Sequence, residues 1–323
     1  MEKRPLVAFC IPTYNRAEYL RDSLESYVKN KDFDEDIEIV ISDNASTDNT
    51  QSVGEYYASK YPNIHYFRNE ENIRDANFPL ALDRATAYYA KLANDNLPIS
   101  EDGLRYIKNK VRNYLGKGIA IFFVEGGCLN YRGKEDEVLC EEFEDLILHL
   151  SRNVTWIALF GAWKDQWSMV KDRTKYSELM LSQDDWFYQI MEISGTAVLM
   201  NGKCHAKKRI LNRKSGYNWF RVQVENYYRI MQPYIAKGLI SSKVQKKEKE
   251  TFLLEVMPWI AKRYWLPMYP EWDFDYSGTT RILWTHFKRI PLFYLIMATI
   301  PLWANWCLIK YYHLKLLNKT SYE

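Results

Sequence analysis

The sequence predicts an α/β fold, a mainly parallel sheet flanked by helices, on three observations. An apolar run from Leu6 to Ile11 enters a polar loop, Pro12-Thr13-Tyr14-Asn15-Arg16. Residues 17–29 then place Tyr19, Leu20, Leu24, Tyr27 and Val28 at the helical period. A second apolar run, Ile37, Ile39, Val40 and Ile41, opens into the acidic, Asn/Ser-rich loop Ser42 to Thr50. Strand, loop, helix, strand, loop is the repeat of a parallel sheet. The right-handed crossover rule sets the two strands side by side, so both loops open on one edge. Ligands bind at that edge in open α/β sheets.

The later elements follow in order. Asn69 to Phe78 is a polar loop, Leu80 to Ala90 reads as a helix, and Lys91 to Leu97 carries the run Asn94-Asp95-Asn96. Pro98 and Ser100-Glu101-Asp102 announce another helix. Ile119 to Val124 reads as a buried strand ended by Glu125-Gly126-Gly127, and an acidic helix follows from Glu141 to Leu150. The apolar stretch Val154 to Trp163 is far short of the about 20 residues that cross a bilayer, and is core or a wall of an acceptor site. Asp184-Asp185 precede a helix starting near Trp186, and Thr196 to Met200 is strand-like. Trp186 has two open roles, a buried indole or a platform for a sugar face.

Composition excludes several classes. The chain has 323 residues and a net charge of +3, too mild for a nucleic-acid footprint. Cysteines at positions 10, 128, 140, 204 and 307 show no metal-ligand spacing, and an odd count without a leader suits a reducing cytoplasm. No dinucleotide, P-loop or zinc-protease motif is present. The last third is more basic: Lys203, Lys207, Lys208, Arg209, Arg213 and Lys214 cluster, and Lys243, Lys246, Lys247 and Lys249 follow. Residues 290–309 are almost wholly apolar but interrupted by Pro291, Pro301 and Asn305, with Trp303 and Trp306 of the type found at membrane interfaces. They read as an interfacial or re-entrant segment between Lys288-Arg289 and Lys310, His313, Lys315 and Lys319.

Ile11-Pro12-Thr13-Tyr14-Asn15-Arg16 followed by Ser42-Asp43-Asn44-Ala45-Ser46-Thr47-Asp48 resembles the family 2 glycosyltransferases. The likeness is specific up to about residue 110. Beyond it there is a looser similarity to bacterial O-antigen and capsule transferases, abequosyltransferase-like members included. The resemblance implies a GT-A fold and a nucleotide-diphosphate sugar donor. It implies nucleotide-sugar contacts at Pro12, Thr13, Tyr14, Asn15, Arg16, Asp43, Asn44, Ser46, Arg74, Asn77 and Asn94. In the family a Gly usually stands where this chain has Arg74. The family's run of two or three Asp residues is here Asn94-Asp95-Asn96, so Asp95 and Asn96 are the expected ligands of a divalent metal, Mn²⁺ or Mg²⁺. The flanking amides leave open a mechanism in which Arg or Lys neutralises the diphosphate instead.

Inverting transfer needs a base for the acceptor hydroxyl, and Asp184 and Asp185 stand where the family often places an acid. Each acid also has an ordinary alternative. Asp43 can make an Asx-turn, Asp95 can cap the next helix, and Asp184-Asp185 can cap theirs. The expected organisation is a GT-A catalytic domain over residues 1–215, with a nucleotide-sugar half at 1–110 and an acceptor half at 111–215. A helical, aromatic-rich region at 216–323 completes it. The expected activity is sugar transfer to a surface-polysaccharide acceptor, lipid-linked, at the cytoplasmic face of the cell membrane and without nucleic acid. A degenerate nucleotide-sugar binder and a membrane-associated assembly scaffold are the alternatives.

Overall fold

The computed structural model describes residues 4–124, 135–206, 216–265, 274–299, 301–302, 305–306 and 309. Strand β1 (Val7–Thr13) leads through helix α1 (Ala17–Val28) to β2 (Ile37–Asp43), then α2 (Thr50–Lys60), β3 (Ile64–Arg68), α3 (Asn77–Arg84) and β4 (Tyr89–Leu92). Next come α4 (Gly103–Tyr114), β5 (Ala120–Phe123), β6 (Glu137–Cys140), α5 (Phe143–Leu150), β7 (Gly161–Trp163), α6 (Lys164–Met169), α7 (Ser182–Ser194) and β8 (Ala197–Met200). A π-helical turn, Arg221–Asn226, runs into α8 (Tyr227–Ala236), and α9 (Ser242–Trp265) and α10 (Thr279–Phe287) follow.

The strand order is β3-β2-β1-β4-β7 in the main sheet and β5-β8-β6 in a second one. The pairs among β1, β2, β3 and β4 are parallel, and β7 closes the main sheet antiparallel to β4. Every residue of β1, β2 and β4 is buried, as expected of parallel strands covered on both faces. Their carboxyl ends, at Thr13, Asp43 and Leu92, lie on one edge and launch the three polar loops from it.

One expected element is shorter than its periodicity suggested. The helix expected over Leu80 to Ala90 ends at Arg84, and the chain is already strand by Tyr89. Long-range pairing overrides the local pattern: Tyr89, Ala90, Lys91 and Leu92 register against Val7, Ala8, Phe9 and Cys10. The buried carboxylate of Glu38 on β2 accepts the backbone N–H groups of Thr86 and Ala87 at 2.8 and 2.9 Å, fixing the turn between them.

A single cluster of buried apolar side chains runs from Ala8 and Cys10 through Trp186 and Phe187 to Phe287, Ile290 and Phe293, so the C-terminal helices share a core with the sheet. The boundary expected at residue 215 lies outside the described residues, as do Glu125-Gly126-Gly127, Lys207, Lys208, Arg209, Arg213, Lys214, Cys128, Trp303, Cys307, Lys310, His313, Lys315 and Lys319. Residues 291–299 are helical, and no helix among the described residues is long and apolar enough to cross a membrane. The stretch read as interfacial therefore begins inside the core, at Ile290 and Phe293, and turns Leu295, Leu302, Trp306 and Ile309 outward.

Trp186 takes the buried role of the two left open. It is 1 % exposed, donates from Nε1 to the Arg173 carbonyl at 2.9 Å, and packs edge-on to Phe160 and Trp167.

Candidate active site

The first two loops are stitched to each other before any ligand is considered. Asn15 takes a left-handed backbone (φ 53°), which Asn tolerates, and its side-chain oxygen accepts from the Thr47 N–H at 2.7 Å. Its own N–H donates to Ser46 Oγ at 2.9 Å, and the Arg16 N–H donates to Thr50 Oγ1 at 3.0 Å. Asp48 accepts from Ala17 N and Thr50 N, so one carboxylate serves the first turns of both α1 and α2.

The loop that follows β3 is tied in by amides. Asn44 donates to Asn72 Oδ1 at 2.8 Å and to the Arg74 carbonyl at 3.2 Å, and accepts from the Ile73 N–H at 2.9 Å. Asn77 exchanges hydrogen bonds with Ser42, and Arg84 joins Ser42 to Asn69 beneath the loop. Arg74 holds φ 51° and Ala45 φ 61°. Each non-glycine residue there costs roughly 1–2 kcal/mol, a strain that concentrates at functional loops. The glycine expected at position 74 is thus absent from the sequence, yet the left-handed geometry a glycine would supply is present.

These loops enclose a cleft of about 450 Å³. Of the predicted residues Pro12, Thr13, Tyr14, Arg16, Asn44, Arg74, Asn77, Asn94, Asp95 and Asn96 line it, together with Asn72, Asp75, Phe78 and Ile157. Asp95 is part of the polar wall. Its carboxylate accepts from Thr13 Oγ1 at 3.0 Å, and Arg16 Nε lies 2.9 Å from both its oxygens.

Three predicted contacts take other places. Asn15 and Ser46 bind the loops together without lining the cleft, and Asp43, also outside its lining, is completely buried. Asp43 Oδ1 accepts from the N–H and hydroxyl of Ser46, an Asx-turn, while Oδ2 accepts from the Tyr66 hydroxyl at 2.6 Å with Arg68 Nε 3.8 Å away. With both oxygens occupied, Asp43 shapes the loop that presents Asn44. Burial and this carboxylate together hold the Tyr66 phenol far above its ordinary range.

Asp184 and Asp185 do not line the cleft either. Asp184 is fully buried, and neither of its oxygens has a partner among the described residues. Burial first, and then the adjacent Asp185, push its pKa well above the usual carboxylate range. Asp185 accepts from Tyr234 Oη at 2.7 Å and Gln189 Nε2 at 2.7 Å.

The donor set suits a weakly held hard cation. Asp95 is a single carboxylate, already paired with Arg16, between two amides, and no cluster of three or more His, Cys, Asp or Glu that could hold a metal exists among the described residues. Mg²⁺ and similar ions accept such a site when phosphate and water fill the remaining positions.

Of the cleft residues absent from the expected set, Asn72, Asp75 and Phe78 lie in the run already picked out as a loop, and Ile157 lies in the apolar stretch read as core or a wall of an acceptor site. The segment containing Ile157 is held by the buried Lys91, whose Nζ donates to the Ala158 carbonyl across the sheet edge.

Residues 8–92 match the model of glycosyl transferase family 2. Those residues form a family 2 glycosyltransferase domain. They span β1 to β4, the scaffold of the three loops. Abequosyltransferase RfbV of Salmonella typhimurium is 39% identical over 105 residues, which cover 32% of this chain and 32% of that one. GalNAc(5)-diNAcBac-PP-undecaprenol beta-1,3-glucosyltransferase of Campylobacter jejuni is 29% identical over 127 residues, covering 39% of this chain and 38% of that one. The matched region is about a third of the length of these relatives. Among solved structures, S. aureus TarS 1-349 in complex with UDP-GlcNAc superposes with a TM-score of 0.55 at 15% identity, over 93% of this chain and 89% of that one. Mannosyltransferase PcManGT from Pyrobaculum calidifontis, in complex with GDP-Man and Mn2+, gives 0.51 at 15% identity over 96% and 87%. The family 2 domain therefore sits in a GT-A fold extended by C-terminal helices.

Proposed function

We propose that this chain transfers a sugar, with inversion, from a nucleotide-diphosphate donor to a hydroxyl of a lipid-linked O-antigen or capsule glycan. The observation that carries the reading is the cleft itself: the loops at the sheet edge of the family 2 domain meet around Asp95, Arg16 and Thr13. Relatives named for abequosyl transfer and for acting on a PP-undecaprenol glycan support the acceptor class. In the reaction the acceptor oxygen bonds to the anomeric carbon while the bond from that carbon to the diphosphate oxygen breaks, its electron pair leaving with the phosphate. Arg16 and Arg74, both in the cleft wall, are placed to neutralise that charge. A divalent cation, Mn²⁺ or Mg²⁺, would be held by Asp95 with the amide oxygen of Asn96, and when bound would supply further neutralisation. Of the two candidate bases Asp184 is fully buried, and the acceptor proton is assigned to Asp185.

Membrane attachment at the cytoplasmic face belongs to the same reading. Trp284, Leu295, Leu302, Trp306 and Ile309 present apolar side chains to solvent in the segment whose sequence also carries Lys288 and Arg289. Hydrophobic insertion combined with basic residues gives reversible binding to anionic bilayers.

Two measurements test the proposal. A nucleotide-sugar screen by thermal shift with Mn²⁺ present should find a donor that raises the melting temperature and is slowly hydrolysed, with Asp185→Asn keeping the shift and losing turnover. Binding without hydrolysis by the wild type would favour the degenerate binder, which the amides of Asn94 and Asn96 also suit. The full chain should sediment with anionic vesicles, and high salt should release only part of it. A chain ending at residue 299 spares Ile290 and Phe293 and should stay folded but bind vesicles weakly. Unchanged sedimentation of that chain would remove the membrane reading.

A further inference from the structure

The cleft wall contains two carboxylates, and the protein treats them differently. Asp95 is satisfied by Thr13 and Arg16. Asp75 lines the same cleft, is half-buried in the short 3₁₀ turn Arg74–Ala76, and accepts no hydrogen bond among the described residues. Phe78 and Ile157 line this cleft as apolar surfaces, and Asn96 adds an amide. A carboxylate, an amide and apolar faces are what a pyranose requires, hydroxyls to be accepted and a C–H face to be covered.

We propose that Asp75 binds hydroxyl groups of the transferred sugar and so determines which donor the cleft accepts. The inference rests on the donor reading above and adds to it the residue that reads the sugar. Its physical basis is the cost of the empty state. A partly desolvated carboxylate with open lone pairs gains from every hydroxyl that donates to it, and a donor lacking that hydroxyl leaves it unpaired. Burial first, with the negative charge of Glu178 adding and Arg74 opposing, raises Asp75 to about 6. It is therefore ionised at neutral pH. Glu178 faces it from the neighbouring turn Ser177–Leu179, Arg74 adjoins it in its own turn, and Arg16 and Asp95 share the cleft. The competing role for Asp75 is a favourable charge ahead of α3, which would not distinguish one ligand from another.

The experiment compares wild type, Asp75→Asn and Asp75→Ala by titration calorimetry with UDP-GlcNAc, GDP-mannose, CDP-glucose and dTDP-glucose, each against its sugar-free diphosphate. The expected result is a loss of about 10- to 100-fold in affinity for the sugar nucleotide the wild type prefers, with the bare diphosphate unchanged. In the wild type the preference for the sugar nucleotide over the diphosphate should weaken as pH falls through about 6, and in Asp75→Asn it should be flat. Parallel losses for sugar nucleotide and diphosphate would place Asp75 on the nucleotide, and no change in either would leave it a turn charge; both overturn the proposal. If the wild type binds none of the eight compounds, the donor reading itself fails and this inference with it.

Discussion

Asp95→Asn is expected to lower kcat by roughly 10²–10³-fold, the loss typical of removing one preorganised electrostatic group. The variant keeps an oxygen to accept from Thr13 Oγ1, so the fold should survive. What it loses is the charge that Arg16 and an incoming cation share. Saturating donor with a Mn²⁺ titration checks this. The wild type should need metal, the variant should respond to it weakly, and excess chelator should bring the two rates together. A variant as fast as the wild type, or a wild type indifferent to chelator, would overturn the role of Asp95 as metal ligand. In the second case Arg16 and Arg74 would carry the diphosphate charge by themselves.

Trp186→Ala is expected to cost about 3–5 kcal/mol of stability, the usual consequence of emptying a buried aromatic site. That is a large part of the about 5–15 kcal/mol by which domains are stable. The indole fills the space between Phe160, Trp167 and the Arg173 carbonyl, and truncation leaves a cavity and an orphaned acceptor. Urea unfolding should show the midpoint falling, while the folded fraction below it keeps donor affinity. A stable variant that has lost sugar binding would return Trp186 to the role of a stacking platform.

How much of the site could be read beforehand differs residue by residue. Asp95 was legible only through the family resemblance, since the strand before it reads as a helix. Thr13 and Arg16 were legible because they stand where the first apolar run ends at the ligand edge, and a strand's direction carries its loop there. Asp43 shared that signal, yet its oxygens are taken by Ser46, three residues on, and by Tyr66 on the neighbouring strand. Position along the chain places a side chain at the edge; whether it faces the cleft depends on competing partners. The same holds for Asp184, whose spacing before a helix fits a base but which is fully buried and does not line the cleft.

The C-terminal region shows the limit from the other side. The length and interruptions of residues 290–309 suggested an interfacial segment, but Ile290 and Phe293 are inserted in the core beside Phe287 while Leu302 and Trp306 stay exposed. Apolar composition drives burial without specifying against what.

By itself the sequence determined the alternation of strands and helices, the edge at which the loops meet and the polar residues they carry, because periodicity and chain direction are local properties that every short segment expresses. Only the tertiary structure decided that α3 stops at Arg84, that Ile157 reaches the cleft, that Asp43 and Asp184 are buried and that Asp75 accepts no hydrogen bond among the described residues. Each of those outcomes is a competition between groups distant in sequence for one hydrogen bond or one packing space, and the winner is set by three-dimensional proximity.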